Sequence, residues 1–235
     1  MSALDLLTAE PQRAALFLDV DGVLAPIVPR PEDARVPDET RAELARLAGR
    51  YALVACVSGR AGEDAAQLVG VPALTYVGNH GLELAPEAGA WRARLRDFLR
   101  DIDWPRTEDK GLSAALHYRD MKDEGAAREA LDGIAARAKR AGFVTRFGRK
   151  VLELLPPIDA DKGTAIRTLL EQRALRRALA AGDDVTDLDS FAALGGLDVA
   201  VRVAVASAEG PQELARAADL VVGSPADFLA LLRLL

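Results

Sequence analysis

Apolar runs of strand length alternate along this chain with amphipathic segments of helix length, a pattern that few architectures other than a helix-covered parallel sheet accommodate. The first run is Ala14 to Leu18. After PEDARVPDE comes a helix with Asp38 as its expected N-cap and Leu44 and Leu47 on its inner face. The runs ALVACV (Ala52 to Val57) and LTYV (Leu74 to Val77) enclose a helix from about Gly62 to Val69. Later, a helix from about Lys162 to Arg173 leads into a strand at Arg177 to Ala181 and a helix near Val185 to Leu194. The strands DVAVRV and DLVV bracket the helix PQELARAA, and Pro225 opens a final helix.

Between Pro86 and Ile158 the rhythm changes. Here the pattern predicts a helix (Trp91 to Asp101), a strand (Leu112 to Tyr118), a helix (Gly125 to Ala141), and two strands, FVTRF and KVLELL, joined by a tight turn at Gly148. Closely spaced strands of this kind make a small antiparallel sheet with helices on one face. Pro86 and Pro156-Pro157 mark its edges, because proline cannot extend a ladder. The expected organisation is α/β: a Rossmann-like parallel-sheet core formed by 1–85 and 159–235, with an α+β cap inserted at 86–158.

Polar signatures follow the apolar strands directly. Asp19-Val20-Asp21-Gly22 follows the first, Ser58-Gly59-Arg60 the second, Gly78-Asn79-His80-Gly81 the third, and Gly182-Asp183-Asp184-Val185-Thr186-Asp187 the strand at Arg177. Open parallel sheets bind ligands beyond the carboxyl ends of their strands, so these groups are expected in one crevice. Asp19, Asp21, Asp183, Asp184 and Asp187 would bring up to five carboxylates there, and two unit charges about 4 Å apart repel by roughly 4 kcal/mol at an effective dielectric near 20. A cation is needed, and all-oxygen ligands favour a hard divalent one, magnesium first. An EF-hand reading of D-x-D-G fails, since Val23 and Arg30 stand where oxygen ligands are required. For Asp183-Asp184 the competing reading is a helix N-cap with an acidic first turn.

A carboxylate at a strand end beside a metal can act as a nucleophile, and a second carboxylate two residues on can serve as acid and base. Lys162 in DADKGTAI can supply positive charge to a transferring phosphoryl group, although a solvated surface lysine is its plainer reading. Ser58 and the amides after it can supply donors. There is no G-x-x-x-x-G-K-[ST], no G-x-G pair and no G-x-S-x-G, which removes the P-loop and the dinucleotide fingerprint and weakens a Ser58-His80 hydrolase.

Composition narrows the partners. A net charge of -6 argues against nucleic acid, and the single cysteine, Cys56, and the two histidines, His80 and His117, argue against disulfides and zinc. MSALDLLTAEPQR has no basic n-region, and no apolar run reaches the roughly 18 residues of a membrane span, so a cytoplasmic protein without membrane partners is expected, as a monomer.

In this order, DVDGVLAPI, VSGR, the lysine of DKG and GDDVTDLD resemble the four signatures of the haloacid dehalogenase-like phosphatases. Within that superfamily, GNHG, LHYR, GRKVLELLPP and GDDVTD resemble the trehalose-6-phosphate phosphatases, whose cap lies between the second and third signatures. The resemblance implies a magnesium-dependent sugar-phosphate phosphatase that works through an aspartyl-phosphate. Asp19 is then the nucleophile, and Asp21 the acid/base and a metal ligand through its carbonyl. Ser58 and Lys162 hold phosphate, and Asp183 and Asp187 complete the metal site. Arg60, Asn79, His80, Arg119, Lys150 and Glu153 are the expected substrate contacts, with His117 as a further polar residue of the cap. Val23, Leu155 and Leu188 depart from the usual Thr, Arg and Glu, so phosphatases of sucrose phosphate or mannosyl-3-phosphoglycerate remain alternatives, as does a phosphoacceptor regulatory domain. Strict alternation along KVLELL puts Lys150 and Glu153 on opposite faces, against their shared assignment to one sugar.

Overall fold

The computed structural model describes residues 2–28, 30–119, 121–148, 150–206 and 210–235. They fall into two compact units, one made of the chain up to Gly81 together with Ala160–Leu235, the other of Leu82–Asp159.

The first unit is built on six parallel strands: β1 (Ala15–Leu18), β2 (Leu53–Val57), β3 (Thr75–Val77), β8 (Arg177–Gly182), β9 (Val199–Val205) and β10 (Leu220–Val222). Their order across the sheet is β10-β9-β8-β1-β2-β3. Every residue of β1 and β2 is buried, which explains why both read as continuous apolar runs: a parallel sheet covered on both faces leaves no strand face for polar side chains. The covering helices are α1 (Ala3–Ala9), α2 (Asp38–Ala48), α3 (Gly62–Val69), α6 (Lys162–Gln172), α7 (Asp187–Ala193), α8 (Gln212–Ala217) and α9 (Pro225–Leu232). Leu7, Leu44, Leu47 and Phe228 are fully or almost fully buried with the strand residues in one core. Asp38 does not cap α2. Pro37 holds the cap position without a side-chain bond, and Asp38 is already helical, adding negative charge to the first turn where the helix dipole favours it.

The second unit has helices α4 (Ala88–Arg100) and α5 (Glu124–Arg140) and strands β4 (Thr107–Asp109), β5 (Ala114–His117), β6 (Val144–Gly148) and β7 (Val151–Leu155). The strands form an antiparallel sheet in the order β4-β5-β7-β6. Leu95 of α4 and Leu131 of α5 share a core with Leu116, Leu152 and Leu154 of the sheet. Trp91 packs its ring edgewise on Phe143 at 5.2 Å, and the Trp104 indole N–H donates to the His117 carbonyl at 2.9 Å. Lys150 lies outside β7 with a left-handed φ of 66°, so strand parity does not govern where its side chain points. Arg149, inside GRKVLELLPP, lies outside the described residues. Among the described residues no helix is long and apolar enough to cross a membrane.

Candidate active site

β1 runs between β2 and β8, and its register carries Leu18 opposite Cys56 on one side and Ala181 on the other. Asp19 extends that pairing, its amide donating to the Ala181 carbonyl at 3.0 Å. The chain thus leaves the sheet at three adjacent carboxyl ends, delivering Asp19, Ser58 and Asp183 to one edge. Asp19, Asp183 and Asp187 each offer a carboxylate oxygen within 4.8 Å of the others, and all three residues are buried. Lys162, first residue of α6, reaches Asp187 at 2.7 Å and Asp19 at 3.1 Å. A capping box on Asp161 fixes the start of that helix and with it the origin of the lysine side chain.

Asp187 orders the cluster from below. Its Oδ2 accepts the amides of Asp183 at 3.1 Å and Asp184 at 3.2 Å while Oδ1 takes the lysine. These bonds exclude the N-cap reading of Asp183-Asp184: the cap position of α7 belongs to Thr186, and Asp187 is the first helical residue. Asp184 is exposed and its carboxylate accepts the neighbouring Val185 amide, so the five expected carboxylates resolve into a tight group of three. Gly22 is required where it stands. Its φ is +79°, and a Cβ there would lie 2.0 Å from the Asp183 carboxylate.

Burial governs the charge of these groups. It pushes Asp19 up to about 8, with Lys162 opposing and Asp187 adding to the rise. Burial likewise pushes Asp183 up to about 7, with Asp187 as the next contributor. For Lys162 burial acts downward, and the carboxylates of Asp19 and Asp187 outweigh it, leaving the ammonium firmly charged. Three buried carboxylates facing one ammonium keep a deficit of positive charge. The donor set is oxygen only, and the fit is to a hard divalent cation, magnesium among them.

The Ser58-Gly59-Arg60 and Gly78-Asn79-His80-Gly81 loops lock to each other through their backbones. The His80 amide donates to the Ser58 carbonyl at 2.9 Å and the Asn79 amide to the Arg60 carbonyl at 2.7 Å. Asn79 and His80 both adopt left-handed φ, 52° and 54°, a conformation that costs of order 1–3 kcal/mol per non-glycine residue and persists only where surroundings enforce it. Gly81 follows because a Cβ there would meet the Asp161 carbonyl at 2.3 Å, so this loop packs against the start of α6. Ser58 is buried, and its Oγ accepts the Arg60 amide at 3.2 Å.

Arg60, expected at the substrate, holds Asp21 with two bonds, Nε to Oδ2 and Nη2 to Oδ1, both 2.7 Å. The Asp21 carboxylate is absent from the buried group of three. Sequence reasoning missed this pair, since 39 residues separate its members and no periodicity connects them.

In the second unit the polar residues pair locally. Glu153 binds Arg146 at 2.8 Å across the β6–β7 ladder, Lys150 pairs with Glu124 at the start of α5, and His117 meets Glu108 at 3.1 Å. Lys150 and Glu153 therefore have different partners, and Arg119 is exposed.

A family model described as "Trehalose-phosphatase" matches residues 17–220. The trehalose-phosphate phosphatase of Mycobacterium marinum (strain ATCC BAA-535 / M) is 36% identical over 216 residues, covering 81% of this chain and 54% of that protein. The chain thus spans about half the length of the curated relatives it matches first. A crystal structure of a "trehalose-6-phosphate phosphatase related protein" superposes with a TM-score of 0.66 at 25% identity, covering 93% of this chain and 95% of the other. A haloacid dehalogenase-like hydrolase from Bacteroides thetaiotaomicron shares the fold, with a TM-score of 0.60 at 16% identity and coverage of 94% and 98%.

Proposed function

The chain belongs to the trehalose-phosphatase family, and on that footing we propose that it is a phosphoric monoester hydrolase that cleaves trehalose 6-phosphate to trehalose and phosphate. The observation that carries this reading is the buried group of Asp19, Asp183 and Asp187 around Lys162 at the carboxyl edge of the parallel sheet.

In this reading a carboxylate oxygen of Asp19 attacks phosphorus, and the bond from phosphorus to the sugar oxygen breaks. The Asp21 carboxyl gives its proton to that departing oxygen. Asp21, now ionised, takes a proton from a water whose oxygen attacks the aspartyl-phosphate; the bond to Asp19 breaks and phosphate leaves. Lys162 stands at the nucleophile and favours its ionised form, while Ser58 and the amides behind it face the equatorial phosphoryl oxygens. Arg60 orients Asp21 by bonding both carboxylate oxygens, and in this reading one of those bonds opens when Asp21 takes up the proton it donates. Magnesium, held by Asp19, the Asp21 carbonyl and Asp183 with Asp187 in support, would supply the positive charge that offsets the carboxylates and the phosphate together.

Residues 1–85 and 159–235 carry the chemistry in this proposal, and 86–158 select the substrate. Arg119, Lys150 and Glu153, with His117 beside them, are assigned to the sugar, and Asn79 and His80 to the rim of the phosphate site. The test is release of inorganic phosphate from trehalose 6-phosphate, sucrose 6-phosphate and mannosyl-3-phosphoglycerate, with and without magnesium. Many turnovers, highest on trehalose 6-phosphate and dependent on the metal, are expected. Preference for another of these esters would reassign the sugar, and a single stoichiometric labelling of the protein would replace the enzyme with a phosphoacceptor.

A further inference from the structure

The acidic cluster occupies the carboxyl edge of the core sheet. A cavity of about 270 Å³ opens at the opposite edge, where the chain enters β1, β8 and β9. Arg13, Arg173, Arg176 and Arg177 line it together with Asp198. Arg13 and Arg177 share one carboxylate, Glu10, at 3.4 and 2.5 Å, and Arg176 pairs with Asp198 at 3.0 Å. Four guanidinium groups thus meet two carboxylates, a local positive excess on a chain whose formal net charge is -6.

Arg173 is the informative member. Among the described residues no carboxylate lies within ion-pair distance of it, and its hydrogen bond is to the Ala52 carbonyl at 3.5 Å. Closing the end of α6 does not require it either. The Leu175 amide donates to the Leu170 carbonyl at 2.9 Å and the Ala174 amide to Glu171 at 3.1 Å, with Ala174 at a left-handed φ of 51°, so backbone groups already satisfy the last turn. Arg173 is exposed beside a cavity rimmed by three more guanidinium groups, so its side chain is open to an incoming ligand.

We propose that this cavity binds a compact phosphate oxyanion. Guanidinium forks match tetrahedral oxyanions with paired N–H donors, which a point charge does not. The volume is slightly below the roughly 300–1,000 Å³ of sites for larger ligands, which suits one or two phosphate groups. The cavity shares no residue with the acidic cluster, so the proposal is independent of the reaction assigned there.

Calorimetric titration of the full chain with inorganic pyrophosphate, without divalent cation, tests it. One binding event is expected, weakened at least tenfold by Arg173→Gln and unchanged by Ser58→Ala, which alters only the phosphate-facing loop of the other edge. Arg176→Gln added to Arg173→Gln should remove binding. Because Arg176 also holds the Gly196 carbonyl at 2.6 Å, the single Arg173→Gln variant, checked by its melting temperature, decides the matter if the double variant unfolds. Parallel titrations with inorganic phosphate and a hexose 6-phosphate distinguish the free ion from a phosphorylated metabolite, according to which binds more tightly. No heat at millimolar pyrophosphate, equal affinity in Arg173→Gln, or equal competition by chloride at matched ionic strength would overturn the proposal.

Discussion

In the proposed reaction Asp19 must be ionised to attack phosphorus, while burial pushes its carboxyl up to about 8 even with Lys162 opposing the rise. Lys162 at 3.1 Å offsets only part of that rise, and a bound cation would supply the rest. Asp19→Asn keeps the shape and removes the nucleophilic oxygen, so turnover should fall by several orders of magnitude while circular dichroism and melting stay near those of the unmodified chain. Near-normal phosphate release from the folded variant would sink the mechanism. Gly22→Ala should act through geometry, because its Cβ would fall 2.0 Å from the Asp183 carboxylate at a φ of +79°. Metal affinity and activity should drop together, with a loss of stability of about 1–3 kcal/mol in denaturant titration. Asp19, Asp183 and Asp187 could be read as neighbours from sequence because each lies in the segment that follows a strand, whereas Lys162 enters by the family resemblance, against its plainer reading as a solvated surface lysine, and is buried between Asp19 and Asp187. The grip of Arg60 on Asp21 could not be read from sequence, since it depends on two side-chain rotamers across separate loops.

Where burial is two-sided, the strands announce themselves. β1 and β2 have no exposed residue, and their apolar runs place them within a residue or two of the observed bounds. β4 is exposed at all three positions and owes its existence to pairing with β5, so TED carries no pattern to find. The same reasoning covers α1, a seven-residue helix set by a Ser2–Asp5 capping box with Leu7 as its single buried residue. Burial also gives β3 a pH signature. The Tyr76 hydroxyl donates to the Val71 carbonyl at 2.9 Å, and burial, reinforced by Cys56, raises its pKa to about 12. The unfolded chain ionises this phenol near 10, so the fold favours the neutral form. Its contribution to stability is complete below about pH 10 and is lost as pH climbs from there towards 12. Tyr76→Phe removes that linkage, and between pH 9 and 11 its melting temperature should fall less than that of the unmodified chain. Parallel decline of the two would show that Tyr76 ionises as it does in the unfolded chain.

Each of the two units has its own hydrophobic core, and the acidic cluster belongs entirely to the first. A cation that binds there stabilises that unit by mass action, about 2.7 kcal/mol at a hundredfold excess over its dissociation constant. Scanning calorimetry with added magnesium should therefore shift the unfolding of the first unit upward, and Asp183→Ala should abolish the shift. The second unit holds the residues assigned to the sugar, none of which takes part in phosphoryl transfer in this mechanism. Binding energy from the non-reacting end of a substrate can be used to orient the reacting end, so its loss lowers turnover as well as raising KM. Glu153→Ala should then impair trehalose 6-phosphate hydrolysis while sparing p-nitrophenyl phosphate, which has no sugar to hold. A hydrogen bond to a charged group contributes roughly 1.5–3 kcal/mol, so the selectivity between the two esters should change by about ten- to a hundredfold. Glu153 also binds Arg146 at 2.8 Å, and the alanine variant frees that guanidinium. Arg146→Ala provides the control: it breaks the same ion pair but leaves the carboxylate for the sugar, and it should keep most of the selectivity. If Arg146→Ala and Glu153→Ala change both esters alike, the pair serves the β6–β7 ladder alone and the assignment of Glu153 to the sugar is wrong.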